Sequence, residues 1–153
     1  MPKFDTVHQV RHNADNMFAL VADIEKYPEF VPLCQALTIK SSREKSGRRI
    51  QIADMTVGYK SIRETFTCQV VLQPEISVIT ASYIDGPFKF LENKWGFEDM
   101  PSGCDVHFAI DYEFKSKALA LLMGAMFDRA FAKFTQAFED RADQLYGTEG
   151  KSA

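Results

Sequence analysis

The segment from Lys117 to Tyr146 constrains the fold of this chain more than any other. Leu119, Leu122, Met123, Met126, Phe127, Ala130, Phe131, Phe134, Ala137, Phe138 and Leu145 recur at steps of three and four. That is the spacing of one helix face. Asp128, Arg129, Gln136, Glu139, Asp140 and Asp143 fall on the other side. The pattern predicts one long helix with a wide apolar stripe. Strand-like segments precede it. A single Phe-rich helix after an antiparallel sheet implies that the sheet wraps around the helix. Such a sheet can leave an apolar space between the two.

The earlier elements follow from periodicity and turn chemistry. Lys3 to His12 is strand-like, and Asn13 or Asp15 can cap a short helix carrying Met17, Phe18, Leu20, Val21 and Ile24. Pro28 and Pro32 stop that helix and force a compact segment from Tyr27 to Leu33. Six more strands are predicted, at about 35–43, 47–58, 60–73, 76–84, 88–98 and 104–115. Lys45-Ser46-Gly47, Asp85-Gly86-Pro87 and Pro101-Ser102-Gly103 are turn signals between them.

Alternation assigns the strand faces. Cys104, Val106, Phe108, Ile110, Tyr112 and Phe114 share one face of the last strand, with Asp105, His107, Asp111, Glu113 and Lys115 on the other. Leu91, Asn93, Trp95 and Phe97 share a face of the strand before it. Ile62, Phe66, Cys68, Val70 and Leu72 do so further back, and Glu64 falls on that same face. The phase slips near Ala53-Asp54, as a bulge would make it do. A carboxylate on an apolar face must be paired, protonated or near water. Glu64 is therefore either a ligand-contacting or acid–base residue, or a strand-end carboxylate paired with Arg63, Lys60 or a partner elsewhere. Asn93 reads similarly.

Other features narrow the classes. A chain of 153 residues suits one domain, expected at 1–147 with a loose tail at 148–153. A net charge of −3 gives no global pull toward nucleic acid or anionic membrane. Thirteen Phe against one Trp suit a core or an apolar pocket wall, because Phe has bulk and no polar handle. Three Cys, none in a CxxC pair, read as reduced thiols on the cytosolic side. Met1-Pro2-Lys3-Phe4-Asp5 runs straight into a strand pattern, so no secretory or transit segment is expected. His8, His12 and His107 match no zinc spacing. There is no nucleophile elbow and no glycine-rich phosphate loop. Acid–base chemistry by Glu64 or Asp54 is the remaining enzymatic reading. Lys40, Arg43, Lys45, Arg48 and Arg49 make one hairpin locally basic, either a solvated hairpin or a contact for RNA or lipid headgroups.

Four segments carry a family resemblance: Tyr27-Pro28-Glu29-Phe30-Val31-Pro32-Leu33-Cys34, Met55-Thr56-Val57-Gly58-Tyr59-Lys60, Asp85-Gly86-Pro87-Phe88-Lys89 and Tyr112-Glu113-Phe114-Lys115-Ser116. They resemble the coenzyme-Q-binding branch of the START-like superfamily, also labelled polyketide cyclase/dehydrase-like. The resemblance spans roughly residues 3–147. It implies an α+β helix-grip fold (START/Bet v 1-like). In that fold a seven-stranded antiparallel sheet wraps a long C-terminal helix, with short helices between strands one and two. It further implies a hydrophobic tunnel, ubiquinone or a similar isoprenoid lipid as ligand, no catalytic cofactor or metal, and a carrier role supporting respiration. Relatives of this shape include ribosome-association toxins and aromatase/cyclases, which stay open as alternatives.

The inward positions expected to wall a ligand are Val31, Leu33, Glu64, Phe66, Asn93, Trp95, Phe108, Tyr112, Leu122, Met123, Met126, Phe127, Ala130 and Phe134. No catalytic residue is assigned. The plain alternative is that these residues form a filled core. Leu121 lies roughly 160° from the centre of the inward stripe. It is expected either under the Tyr27–Leu33 segment or at an exposed entrance touching the membrane. The expected location is cytoplasmic, peripheral at the inner membrane face.

Overall fold

The computed structural model describes residues 3–59 and 61–147, so the expected tail at 148–153 lies outside the described residues. The chain runs β1 (Lys3–Val10), α1 (Ala14–Ala22), a 3-10 turn (Ile24–Glu29), β2 (Cys34–Lys45), β3 (Arg48–Tyr59), β4 (Ile62–Gln73), a second 3-10 turn (Pro74–Ile76), β5 (Val78–Asp85), β6 (Phe88–Met100), β7 (Gly103–Phe114) and α2 (Lys117–Tyr146). The seven strands form one antiparallel sheet in the order β1-β7-β6-β5-β4-β3-β2. β2 to β7 is a meander. β1 pairs with the last strand, so the α1 connection carries the chain from one edge of the sheet to the other. This is the α+β helix-grip architecture.

Local chemistry sets the ends. Asn13 caps α1, its side-chain oxygen accepting from the Asn16 N–H at 2.7 Å. Ser116 caps α2 in the same way, accepting from the Leu119 N–H at 3.1 Å. Ser46 and Gly47, both at positive φ (55° and 80°), make the two-residue turn between β2 and β3. Such turns match the twist of paired strands. The slip expected near Ala53 has a different origin. β3 runs against β4 without a register shift, and the bulge lies across from it, in β2 between Ile39 and Ser41. Gln51 occupies an inward position at 6% exposure, which breaks the apolar alternation in the sequence.

The core is densest around Phe88, which is fully buried. Its ring lies 5.0–5.9 Å from those of Phe66, Tyr83, Tyr112, Phe114 and Phe127. These spacings are normal for favourable aromatic pairs. On α2, Met123, Phe127, Ala130, Phe131, Phe138 and Ala142 are buried and Phe134 partly so. Leu122 and Leu145, expected in this stripe, are instead exposed at 58% and 54%. Leu122 is rotated about 100° from Met123, in the sense opposite to Phe127 and Phe131, so it leaves the buried arc. The far half of α2 is strapped down at both sides. His8 Nε2 meets Glu139 at 3.0 Å and His12 Nε2 meets Asp143 at 2.7 Å, while Arg141 donates to Glu29 of the 3-10 turn. No helix among the described residues is long and apolar enough to cross a membrane.

Gly103 opens β7 at φ 152°, and a Cβ there would stand 1.9 Å from the Val10 carbonyl oxygen. Gly47 has a positive φ but nothing within 4 Å. Gly103→Ala must push β1 off β7 and is expected to destabilise by about 3 kcal/mol or more. Gly47→Ala meets only the backbone penalty, about 1 kcal/mol. Urea denaturation of the two variants checks this. Equal losses would contradict the close β1–β7 junction.

Candidate functional site

Side-chain size across the sheet decides where space remains. On β6 and β7 the inward residues include Trp95 and Phe108, which reach α2: Trp95 lies 4.9 Å from Phe138 and Phe108 5.8 Å from Phe134, centroid to centroid. On β3, β4 and β5 the inward residues include Ala53, Cys68, Val70 and Ala81, which are short. The helix carries Ala130 toward the same region. α2 lies closest to β7, β1 and α1. A partly open cavity of about 130 Å³ fills the remaining gap. The compact segment around Tyr27, Val31, Pro32 and Leu33 forms one wall.

That wall is anchored. The Tyr27 hydroxyl donates to the Val21 carbonyl at 2.5 Å, and its ring packs edge-on against Phe30 and Phe138. Burial pushes the Tyr27 hydroxyl pKa well up, so it stays a donor. Leu33 holds a left-handed conformation at φ 69°, and its carbonyl accepts from the Gly58 N–H at 2.9 Å. A non-glycine residue in that region is uncommon and carries strain.

The cavity wall is almost wholly apolar. No carboxylate, amine or imidazole of the described residues lines it. Asn93 is its one amide. The Asn93 Nδ2 donates to the Ala109 carbonyl at 2.9 Å, which can only accept, so the orientation of the amide is set. Cys68 also lines the cavity, but burial, with Glu92 adding to it, pushes its thiol up to about 12. Cys34 beside the wall is pushed up to about 11 by burial. Both stay protonated and unreactive near neutrality. Asp54 points away from the cavity, where the Thr67 hydroxyl donates to it at 2.5 Å and Lys40 sits at 3.2 Å. The Thr67 bond, with Lys40 behind it, holds that carboxyl below the usual range.

Of the residues expected to wall a ligand, Val31, Leu33, Phe66, Asn93, Trp95, Phe108, Phe127, Ala130 and Phe134 line the cavity. Five do not. Tyr112 is solid core, 1% exposed among Phe88, Phe114, Phe127 and Phe131, with its hydroxyl donating to Asp128 at 3.4 Å. Met123 is fully buried outside the cavity, and Met126 packs on the core without reaching it. The aromatic cluster around Phe88 fills the space beneath this part of α2, so the void begins at Phe127. Leu122 faces water. Glu64 is half-buried on the inner face of β4 opposite Val57, beyond the cavity wall. It makes no hydrogen bond or ion pair with a described residue, and Lys60 falls outside the described residues. Leu121 is 87% exposed, so the Tyr27–Leu33 segment does not cover it. The sequence reading missed the inward row Ala53, Met55 and Val57 on β3. Its period-two signal was present but masked by Gln51.

Residues 10–139 match the model of the family described as polyketide cyclase / dehydrase and lipid transport. The ribosome association toxin RatA of Vibrio cholerae serotype O1 is 35% identical over 139 residues, covering 90% of this chain and 93% of that protein. The mitochondrial coenzyme Q-binding protein COQ10 of Dictyostelium discoideum is 30% identical over 143 residues, covering 92% of this chain and 68% of that protein. The solution structure of the 18 kDa protein CC1736 from Caulobacter crescentus superposes with a TM-score of 0.80 at 33% identity, over 96% of this chain and 99% of that one. A shared sequence model, shared identity along nearly the whole chain and a shared helix-grip architecture agree, and the chain belongs to the polyketide cyclase / dehydrase and lipid transport family.

Proposed function

We propose that this protein binds ubiquinone or a related isoprenoid lipid in the cavity under α2 and carries it, without transforming it, in support of respiratory electron transfer. The observation that carries this reading is an almost wholly apolar cavity whose lining holds one amide side chain, Asn93. A wall of this kind gains affinity from buried apolar area and orientation from one polar contact. The COQ10 relative supports the quinone headgroup. The wall holds no paired acid and base among the described residues, which favours binding over cyclase chemistry.

Volume decides how such a ligand sits. A cavity of about 150 Å³ holds one benzene-sized ring, whereas sites for drug-sized ligands span ~300–1,000 Å³. The 130 Å³ present suits a single ring or a short stretch of chain. Each five-carbon isoprene unit buried yields roughly 4 kcal/mol gross at ~0.8 kcal/mol per carbon. Association itself costs about 4–15 kcal/mol. A ring alone is therefore marginal. Tight binding needs a widened gap beside Ala130, or a tail that continues over apolar surface.

The start of α2 offers such surface. Leu121 and Leu122 are 87% and 58% exposed, and Lys115 and Lys117 are exposed beside them. Adjacent exposed leucines next to lysines suit a transient seat on an anionic bilayer, on the inner membrane face from the cytoplasmic side. Ligand would cross there between membrane and cavity.

A second reading, contact with the ribosome, is favoured by the RatA relative. The β2–β3 hairpin is its surface here. Three of the five cations are held by carboxylates: Lys40 by Asp54 at 3.2 Å, Arg48 by Glu75 at 3.8 Å and Arg49 by Glu44 at 2.6 Å. That leaves Arg43 and Lys45 as the chief candidates for phosphate contacts. Cosedimentation with ribosomes, lost in Arg43→Ala with Lys45→Ala, would favour this reading.

Two outcomes test the carrier reading. Ala130→Phe fills the cavity and is expected to weaken binding of a short-tail ubiquinone at least about tenfold while keeping a cooperative melt, with Ala81→Leu as a second filling variant. Asn93→Leu should lose about 1 kcal/mol, near fivefold, and Glu64→Gln should change nothing. Fluorescence titration reads all four, and undiminished binding in both filling variants would refute the site. Leu121→Ser with Leu122→Ser should slow quinone transfer between anionic liposomes and leave affinity in detergent and the melting temperature unchanged. A sharp fall in melting temperature with normal transfer would place these leucines in structure rather than at the membrane.

A further inference from the structure

Away from the cavity, the outer face of the sheet gathers Glu98 of β6 with Asp105 and His107 of β7. One ligand atom from each lies within 4.8 Å of the other two. Asp105 and Glu98 are direct cross-strand partners. Like charges so placed repel and weaken a sheet. No ion pair with a described residue offsets them. One carboxylate oxygen of Asp105, Oδ1, is shut off from solvent and accepts no hydrogen bond among the described residues. A shielded carboxylate oxygen without donor or cation is costly. Opposite His107 stands Gly96, whose missing side chain leaves the imidazole free to lean toward Glu98.

We propose that Glu98, Asp105 and His107 form a surface site for a divalent transition-metal ion such as zinc. Zinc binds carboxylate oxygen and imidazole nitrogen at ~2.0–2.2 Å, which places any two ligand atoms within about 4.4 Å of each other. Small side-chain rotations close the present spacing to that value. The imidazole selects a borderline metal over calcium or magnesium, which prefer all-oxygen shells. Three protein ligands leave positions for water. Bound metal would cancel the carboxylate repulsion and clamp β6 to β7 near the Met100–Gly103 turn.

Calorimetric titration of the metal-stripped full chain with zinc chloride tests the site, together with the visible spectrum on cobalt addition. The expected result is one equivalent bound, a rise in melting temperature with zinc, and at least about tenfold weaker binding in both His107→Gln and Glu98→Gln. His8→Gln removes an imidazole elsewhere and should bind zinc normally. Calcium should not compete. Absence of binding, or binding unchanged in His107→Gln and Glu98→Gln, would overturn the site.

Discussion

Everything distinctive in this molecule depends on how α2 rests on the sheet. Trp95 and Phe108 on β6 and β7 prop the helix through Phe134 and Phe138. Ala53, Cys68 and Ala81 on β3, β4 and β5 do not reach it. A rigid helix propped by large side chains on one flank must stand away from small ones on the other. The straps from His8, His12 and Glu29 hold its far half in that posture. The void is thus a product of side-chain volumes, and not of an irregular backbone. The same logic explains where the void stops. Phe88, Phe114, Tyr112 and Phe127 fill the space under Met123 completely.

Much of this was legible in the sequence, and the failures have physical causes. The alternation from Cys104 to Phe114 placed the inner face of β7 correctly, because a strand half-buried along its length repeats every two residues. The long helix was legible for the same kind of reason. Its inward arc was drawn too wide: Leu122 lies about 100° round the helix from the buried Met123, and Leu145 in the last turn is exposed. Met123 and Tyr112 were placed on the correct face and in the wrong company. A period shows which way a residue points, but filled and empty space beneath it look alike. The cavity row on β3 was obscured because Gln51 interrupts it with a buried amide. Asp105 and His107 share the outer face of β7 in the sequence, but Glu98 joins them only across the β6–β7 pairing, so no spacing along the chain brings it to them.

Few polar groups line the cavity. Its cysteine is kept as a thiol by burial, its tyrosine is committed to a backbone carbonyl, and its amide nitrogen donates to the Ala109 carbonyl. Leu33 alone holds strained backbone at the wall, and strain of that kind persists where a local shape is required. Relatives named for coenzyme Q and for the ribosome each match 90% or more of this chain. A lipid carrier and a ribosome partner would use different surfaces of it, the cavity mouth in one case and the β2–β3 hairpin in the other.

The central claim is that an isoprenoid lipid occupies the space beneath α2. Protein purified without detergent, extracted with organic solvent and analysed by mass spectrometry, tests that claim most directly. The account predicts a co-purifying quinone or related isoprenoid lipid, abundant in the wild-type chain and strongly depleted in Ala130→Phe prepared in parallel. Extracts free of such a lipid, or equal amounts in both proteins, would contradict it.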